Sequence, residues 1–181
     1  MNITEVFAVL FLLLSVGFAV KNNILTWPTG IISNVIYMYI FYNLNIFGNT
    51  FIQAVFILQS IDGWYKWKHN NTRKISELDT MDLTKTIIAT VVLSFLVYFF
   101  LVLTDSKSPI LDSSTTAISI MGVILLSLKK VESWYFWILT DIIYIWFFIK
   151  EGLYLSSLTY IIILILAIIG LIQWEKDLKM A

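Results

Sequence analysis

WPTGIISNVIYMYIF (residues 27–41) and WYFWILTDIIYIWFF (residues 134–148) lie 107 positions apart and carry the same skeleton of rings and β-branched residues. Trp27 pairs with Trp134, Ile31 with Ile138, Ile36 with Ile143, Tyr37 with Tyr144 and Phe41 with Phe148. Without a gap, the same offset pairs Ile61 with Ile168, Gly63 with Gly170 and Trp67 with Trp174, while Asn34 meets Asp141. Chance similarity between apolar segments explains matched isoleucines. It does not explain two tryptophans and a glycine in register, so a duplicated three-helix unit is the better reading.

Composition says where such a unit lives. Of 181 residues, 59% are hydrophobic and 13% charged, with a mean hydropathy of +0.86. Soluble domains run at about 45–50% apolar and about 25% charged. That excess excludes a water-soluble globule, and 16% aromatics exclude disorder. Without cysteine there is no disulfide framework, thiolate nucleophile or Cys-based metal site. Zero net charge removes the basic footprint of a nucleic-acid binder. The chain reads as an all-α integral membrane protein.

Seven apolar stretches are each close to the ~20 residues a helix needs to cross a bilayer: 4–20, 25–44, 50–67, 86–103, 117–128 (starting earlier, just after Pro109), 134–149 and 155–174. The first is no signal peptide, since no basic residue precedes it and no small-residue cleavage site follows Val20. With seven spans, ten of the twelve basic residues fall on one face and only Lys107 and Lys150 on the other. The positive-inside rule puts the ten in the cytoplasm, the N-terminus outside and the C-terminus inside. The expected layout is a first three-helix bundle (1–68), a loop plus linker helix (69–108) and a second bundle (109–181). An odd number of spans separates the two copies, so they run parallel, a 3+1+3 repeat about an axis along the membrane normal. Within the polar loop Lys68–Lys85, Ser76 and Asp79 could cap a short interfacial helix, but a solvated linker is the preferred reading, with His69 exposed in it.

Acidic side chains cost about 2.5–3.5 kcal/mol or more inside a bilayer, so those within spans are functional candidates. Asp141 and Asp62 qualify, accompanied by Asn34, Gln53 and Gln59. Trp134, Trp137 and Asp141 stand at i, i+3 and i+7 on one helical face, and Tyr144 extends it. Trp27, Asn34 and Tyr37 repeat that geometry, with Gly30 in place of the second tryptophan. Gln59 and Asp62 share a face of the third span, where Asp62 could instead pair with Lys66; Asp112, Thr115, Thr116 and Ser119 mark the fifth. Trp67 and Trp174, beside basic residues, read as interfacial belt residues. Stacked indoles with a carboxylate and amides suit a flat, polar, cationic ligand. No GxxxxGK[ST], HExxH or GxSxG motif occurs, which removes P-loop hydrolysis and the commonest hydrolase classes.

These residues resemble the PnuC-type vitamin transporters, whose best-known members carry nicotinamide riboside. The match rests on WPTGIISN at 27–34, QSIDGWYKW at 59–67, and the block from Asp112 to Trp174 with its DSSTTAIS, KKVESWYFWILTDIIYIWF, EGLYL and GLIQW runs. The family signature WxxWxxx(N/D) falls on Trp134, Trp137 and Asp141. One departure is Asp62, which stands where the family has an aromatic before Gly-Trp. The resemblance implies a fold related to the SWEET sugar transporters, a bacterial inner-membrane location, and facilitated diffusion made unidirectional by a cytoplasmic kinase that phosphorylates the vitamin. It places the ligand between the bundles.

The expectation is therefore a non-enzymatic vitamin transporter with no cofactor and no metal. Trp134, Trp137 and Asp141 are expected to carry binding, with Tyr144, Asn34, Tyr37, Gln59, Asp62, Trp27 and Thr116 contributing. Nicotinamide riboside is the first choice. Thiamine, which also holds a cationic aromatic ring, and riboflavin stay open, as does a homo-oligomeric state. The competing class is a non-transporting membrane scaffold or enzyme subunit.

Overall fold

Apolar runs broken by short polar turns leave every backbone N–H and C=O to be satisfied within its own segment, which in hydrocarbon means helix. The computed structural model describes residues 3–44, 46–70, 73–103 and 108–180. These form seven helices: α1 (Ile3–Val20), α2 (Thr26–Asn43), α3 (Phe47–His69), α4 (Thr80–Val102), α5 (Pro109–Ser127), α6 (Ser133–Lys150) and α7 (Tyr154–Met180). The all-α expectation holds. By length and composition α1, α4, α5 and α7 are able to cross a membrane. The tryptophans, tyrosines and polar side chains of α2, α3 and α6 hold those helices below that measure.

Two boundaries differ most from expectation, the start of α4 and the end of α7. α4 begins at Thr80 because Asp79 caps it, its carboxylate accepting from the Asp82 N–H at 2.7 Å. α5 begins at Pro109, whose fixed φ suits a first helical turn. α7 runs on to Met180, since nothing after Trp174 breaks it. Among its described residues the loop before α4 forms no interfacial helix, and it is not a solvated linker either. Ile75 is buried, and Ser76 makes an isolated parallel β-bridge with Lys130.

α1, α2 and α3 pack consecutively, as do α5, α6 and α7; α4 lies against α5, and the two trios meet through α3 with α5 and α1 with α7. Geometry recurs at the 107-residue offset. Trp27 meets Trp67 edge-to-face at 5.4 Å and 88°, and Trp134 meets Trp174 at 5.5 Å and 88°. Tyr37 stacks on Phe41 at 5.9 Å, and Tyr144 on Phe148 at 5.8 Å. Asn22 and Lys129 both hold left-handed backbone, φ 48° and 53°. Each ends its helix in a Schellman turn, with Asn23 N–H on Phe18 O and Lys130 N–H on Leu125 O, both at 2.9 Å.

The core gathers Trp27, Trp67, Trp134 and Trp174 with Ala19, Val20, Val131 and Ala167. Trp67 and Trp174 are thus interior residues, 5% and 0% exposed, not belt residues at the lipid interface. Each first tryptophan lies against a glycine: a Cβ on Gly63 would come within 2.4–2.6 Å of the Trp27 ring, and one on Gly170 within 2.5–2.6 Å of Trp134. Any side chain there would displace the indole.

Candidate functional site

α5 is the platform on which the candidate residues assemble. Its Ser, Thr, Ala and Gly positions let neighbouring helices approach closely, and Ser113, Thr115, Thr116, Ala117, Ser119, Gly122 and Val123 are all buried. Trp137 of α6 lies over Gly122, where a Cβ would sit 3.2 Å from Cε2 of the indole. The first trio inverts that contact: Gly30 stands at the tryptophan's position and Ser15 at the glycine's, the Ser15 hydroxyl lying 3.0 Å from where a Gly30 Cβ would be. The crossing is equally close in both, but only the second trio puts a large ring there.

One turn on from Trp137, Asp141 is 2% exposed, and its Oδ2 is buried with no hydrogen-bond partner. Such a group carries the full desolvation cost of a polar atom without compensation. Tyr144 follows, donating its hydroxyl to Thr115 Oγ1 of α5 at 3.1 Å. Across from it, Tyr160 of α7 packs 4.8 Å from the Tyr144 ring and within electrostatic reach of Asp141 and Tyr37. The structure thus brings Trp137, Asp141 and Tyr144 of α6 together with Thr115 of α5 and Tyr160 of α7.

From α3, Gln59 reaches α5 and donates Nε2–H to Ile120 O at 3.2 Å, two residues from the Trp137 contact. Its Oε1 is buried without a partner, as is that of Gln53. Asn34 is half-buried on α2, and Thr116 is buried on α5. Trp27 and Trp134 belong to the tryptophan core, their Nε1–H groups buried and unpartnered. Asp62 does not join the group. It is exposed on α3 and ion-paired with Lys66 one turn on. A cleft of about 450 Å³ between α4, α5 and α6 reaches Thr115 and Ile143 from the side, away from Asp141.

Sequence reasoning marked Thr115 and Thr116 alike on the fifth span and carried only Thr116 into the expected binding set, whereas Thr115 is the residue that meets Tyr144; it missed Tyr160. The 107-residue offset pairs Tyr160 with Gln53, a polar residue already marked in the third span, and that match could have flagged the tyrosine. Chemically, the interior offers acceptors (Asp141, Gln53, Gln59) and aromatic faces (Trp137, Tyr144, Tyr160, Tyr37). Basic side chains in the described helices stand in terminal turns, as with Lys66, Lys68, Lys150 and Lys179, or one turn in from an end, at Lys85 of α4 and Lys176 of α7. Such a site favours a ligand with a flat ring, hydrogen-bond donors and positive charge.

Comparison with known proteins adds family. The sequence profile of the family described as "Nicotinamide mononucleotide transporter" matches residues 2–176. The "Nicotinamide riboside transporter PnuC" of Escherichia coli (strain K12) is 25% identical over 197 residues, covering 92% of this chain and 82% of that protein. Its namesake from Neisseria mucosa is 27% identical, over 92% of this chain and 70% of the relative. A solved structure, "Crystal structure of the Vitamin B3 transporter PnuC", superposes with a TM-score of 0.82 at 25% identity, covering 98% of this chain and 82% of that one.

Proposed function

The chain belongs to the nicotinamide mononucleotide transporter family of multi-pass membrane proteins, and from that premise we propose that it carries nicotinamide riboside by facilitated diffusion. The family's description names a mononucleotide and the relatives' names a riboside, which differ by a phosphate. The buried, unpartnered Asp141 Oδ2 beside Trp137 and Tyr144 carries the choice. A carboxylate attracts a cationic ring or accepts from a hydroxyl, and it repels a phosphate. A phosphate-binding interior needs Arg or Lys, and the basic residues stand near helix ends instead. The same reasoning disfavours electroneutral riboflavin and leaves thiamine as the competitor.

In this reading the two trios are parallel copies joined by α4, and the protein works as a transporter rather than an enzyme. They rock about a ligand held between them, exposing it to each side in turn. The basic face lies in the cytoplasm of a bacterial inner membrane. Phosphorylation of the vitamin by a cytoplasmic kinase then traps it, with no ion coupled.

Counterflow of labelled nicotinamide riboside in proteoliposomes tests this. Exchange is expected for the riboside and not for its 5′-phosphate; exchange of thiamine alone reverses the substrate order, and exchange of none sinks the reading. Asp141→Ala removes a charged partner worth about 1.5–3 kcal/mol, so the Kd should rise roughly 10- to 100-fold. Wild-type affinity in that variant refutes the site.

A further inference from the structure

At the end bearing the basic residues, the trios are clasped in both directions. Trp67, near the end of α3, donates its Nε1–H to the Ser127 carbonyl at the end of α5, 3.2 Å away. Trp174 of α7 donates to the Ala19 carbonyl at the end of α1, 3.1 Å away. The two rings lie 6.4 Å apart, and Lys129 sets its ammonium 4.7 Å over the Trp67 ring. Each indole therefore holds a last-turn carbonyl of the opposite trio.

A strap crosses the same end. The chain leaving α3 buries Ile75 in the tryptophan core and then docks on the α5–α6 turn. Ser76 N–H donates to Lys129 O at 3.1 Å, and Val131 N–H to Ser76 O at 3.0 Å. Lys130 Nζ donates to Glu77 O at 2.9 Å, and Leu78 N–H to Glu132 Oε1 at 2.8 Å. The matching α1–α2 turn manages alone: Asn23 closes it with its own side chain, accepting from Leu25 N–H at 2.9 Å. Its left-handed residue is Asn22, which tolerates that backbone. The strapped turn instead forces a lysine, Lys129, into it. Burial, and then the charge of Arg73 from the strap's own side, hold that ammonium below the usual lysine range. A lysine in left-handed backbone is a strained position that its surroundings hold in place.

We propose that this end is the gate through which the ligand leaves, latched by the Trp67–Trp174 clasp and barred by the Ile75–Leu78 strap, which lifts from the α5–α6 turn when the clasp parts. Any motion that separates α3 from α5 and α1 from α7 here breaks both clasp bonds and drags the strap across the turn. The strap is held by a few edge hydrogen bonds and one buried side chain, the profile of a segment that opens well below global unfolding.

The proposal rests on the alternating-access reading, and its test separates the two. The native chain has no cysteine, so Ser76→Cys with Lys130→Cys can be oxidised to pin strap to turn. Riboside affinity should hold within about twofold while counterflow falls at least ~10-fold and returns on reduction, as for a blocked gating step. Full-rate counterflow in fully oxidised protein overturns the gate. Residue-resolved amide exchange of the wild-type protein needs no transport. Ser76 and Val131 amides should exchange at least ~10-fold faster than the Lys130 amide, whose bond to Leu125 O lies within the turn. Equal protection of all three overturns the movable strap. Fast strap exchange in a protein that exchanges no vitamin sinks the transport reading and leaves the strap standing.

Discussion

Single residues divide into those that pack and those left unpartnered, and the difference could not be read from residue type. Trp27 and Trp134 fit the binding signature by spacing, yet each lies against a glycine inside the tryptophan core. Gly170→Ala would push a methyl to within 2.5–2.6 Å of the Trp134 ring. That ring is fully buried and has nowhere to go. Overpacking of this kind costs about 1–3 kcal/mol, which lowers Tm by roughly 2–4 °C per kcal/mol in a chain of this size. Thermal unfolding in detergent should show the loss in Gly170→Ala and, through Trp27, in Gly63→Ala. Gly17, with nothing within 4 Å of an added Cβ, is the control that should not move. Unchanged stability in both variants would mean the indoles have room to shift.

Among the elements, α5 matters most, and it was the least legible. Its apolar count made it the shortest expected span, because Ser113, Ser114, Thr115 and Thr116 interrupt the hydrophobic run ahead of Ala117. In the fold Trp137 rests on Gly122, Gln59 on the Ile120 carbonyl, Tyr144 on Thr115 and Trp67 on the Ser127 carbonyl, all of them on this one helix. Periodicity finds helices, but it cannot say which neighbour a small polar face will receive. Thr115 and Thr116 show the consequence. Thr115→Val keeps the shape but leaves the Tyr144 hydroxyl without its 3.1 Å partner, a cost of about 1–3 kcal/mol for a buried donor. Riboside binding should weaken measurably in that variant and less in Thr116→Val, as read by titration of the purified protein. The reverse order would place the ligand on the Thr116 side of α5.

At the scale of the whole molecule, the sequence carried the architecture further than the site. Hydropathy located seven helices, and the 107-residue offset paired the tryptophans and glycines whose contacts recur in the fold. Each of those is a local demand repeated in sequence. The docked strap and the cross-trio clasp are contacts between distant segments, so no spacing announces them, and Trp67 and Trp174 looked like belt residues beside their lysines. Sidedness follows from charge alone and is open to direct measurement. If α6 crosses the bilayer, Lys130 and Glu151 at its two ends face opposite compartments, and α7 returns Lys179 to the side of Lys130. Single cysteines at 130, 151 and 179 in the cysteine-free chain can be labelled with a membrane-impermeant maleimide. In spheroplasts the Glu151→Cys variant should react, while Lys130→Cys and Lys179→Cys react only after the membrane is opened. Labelling of 130 and 151 from the same side would mean that α6, with its tryptophans and Asp141, does not span, and would remove the basis for placing the ligand between two three-helix copies.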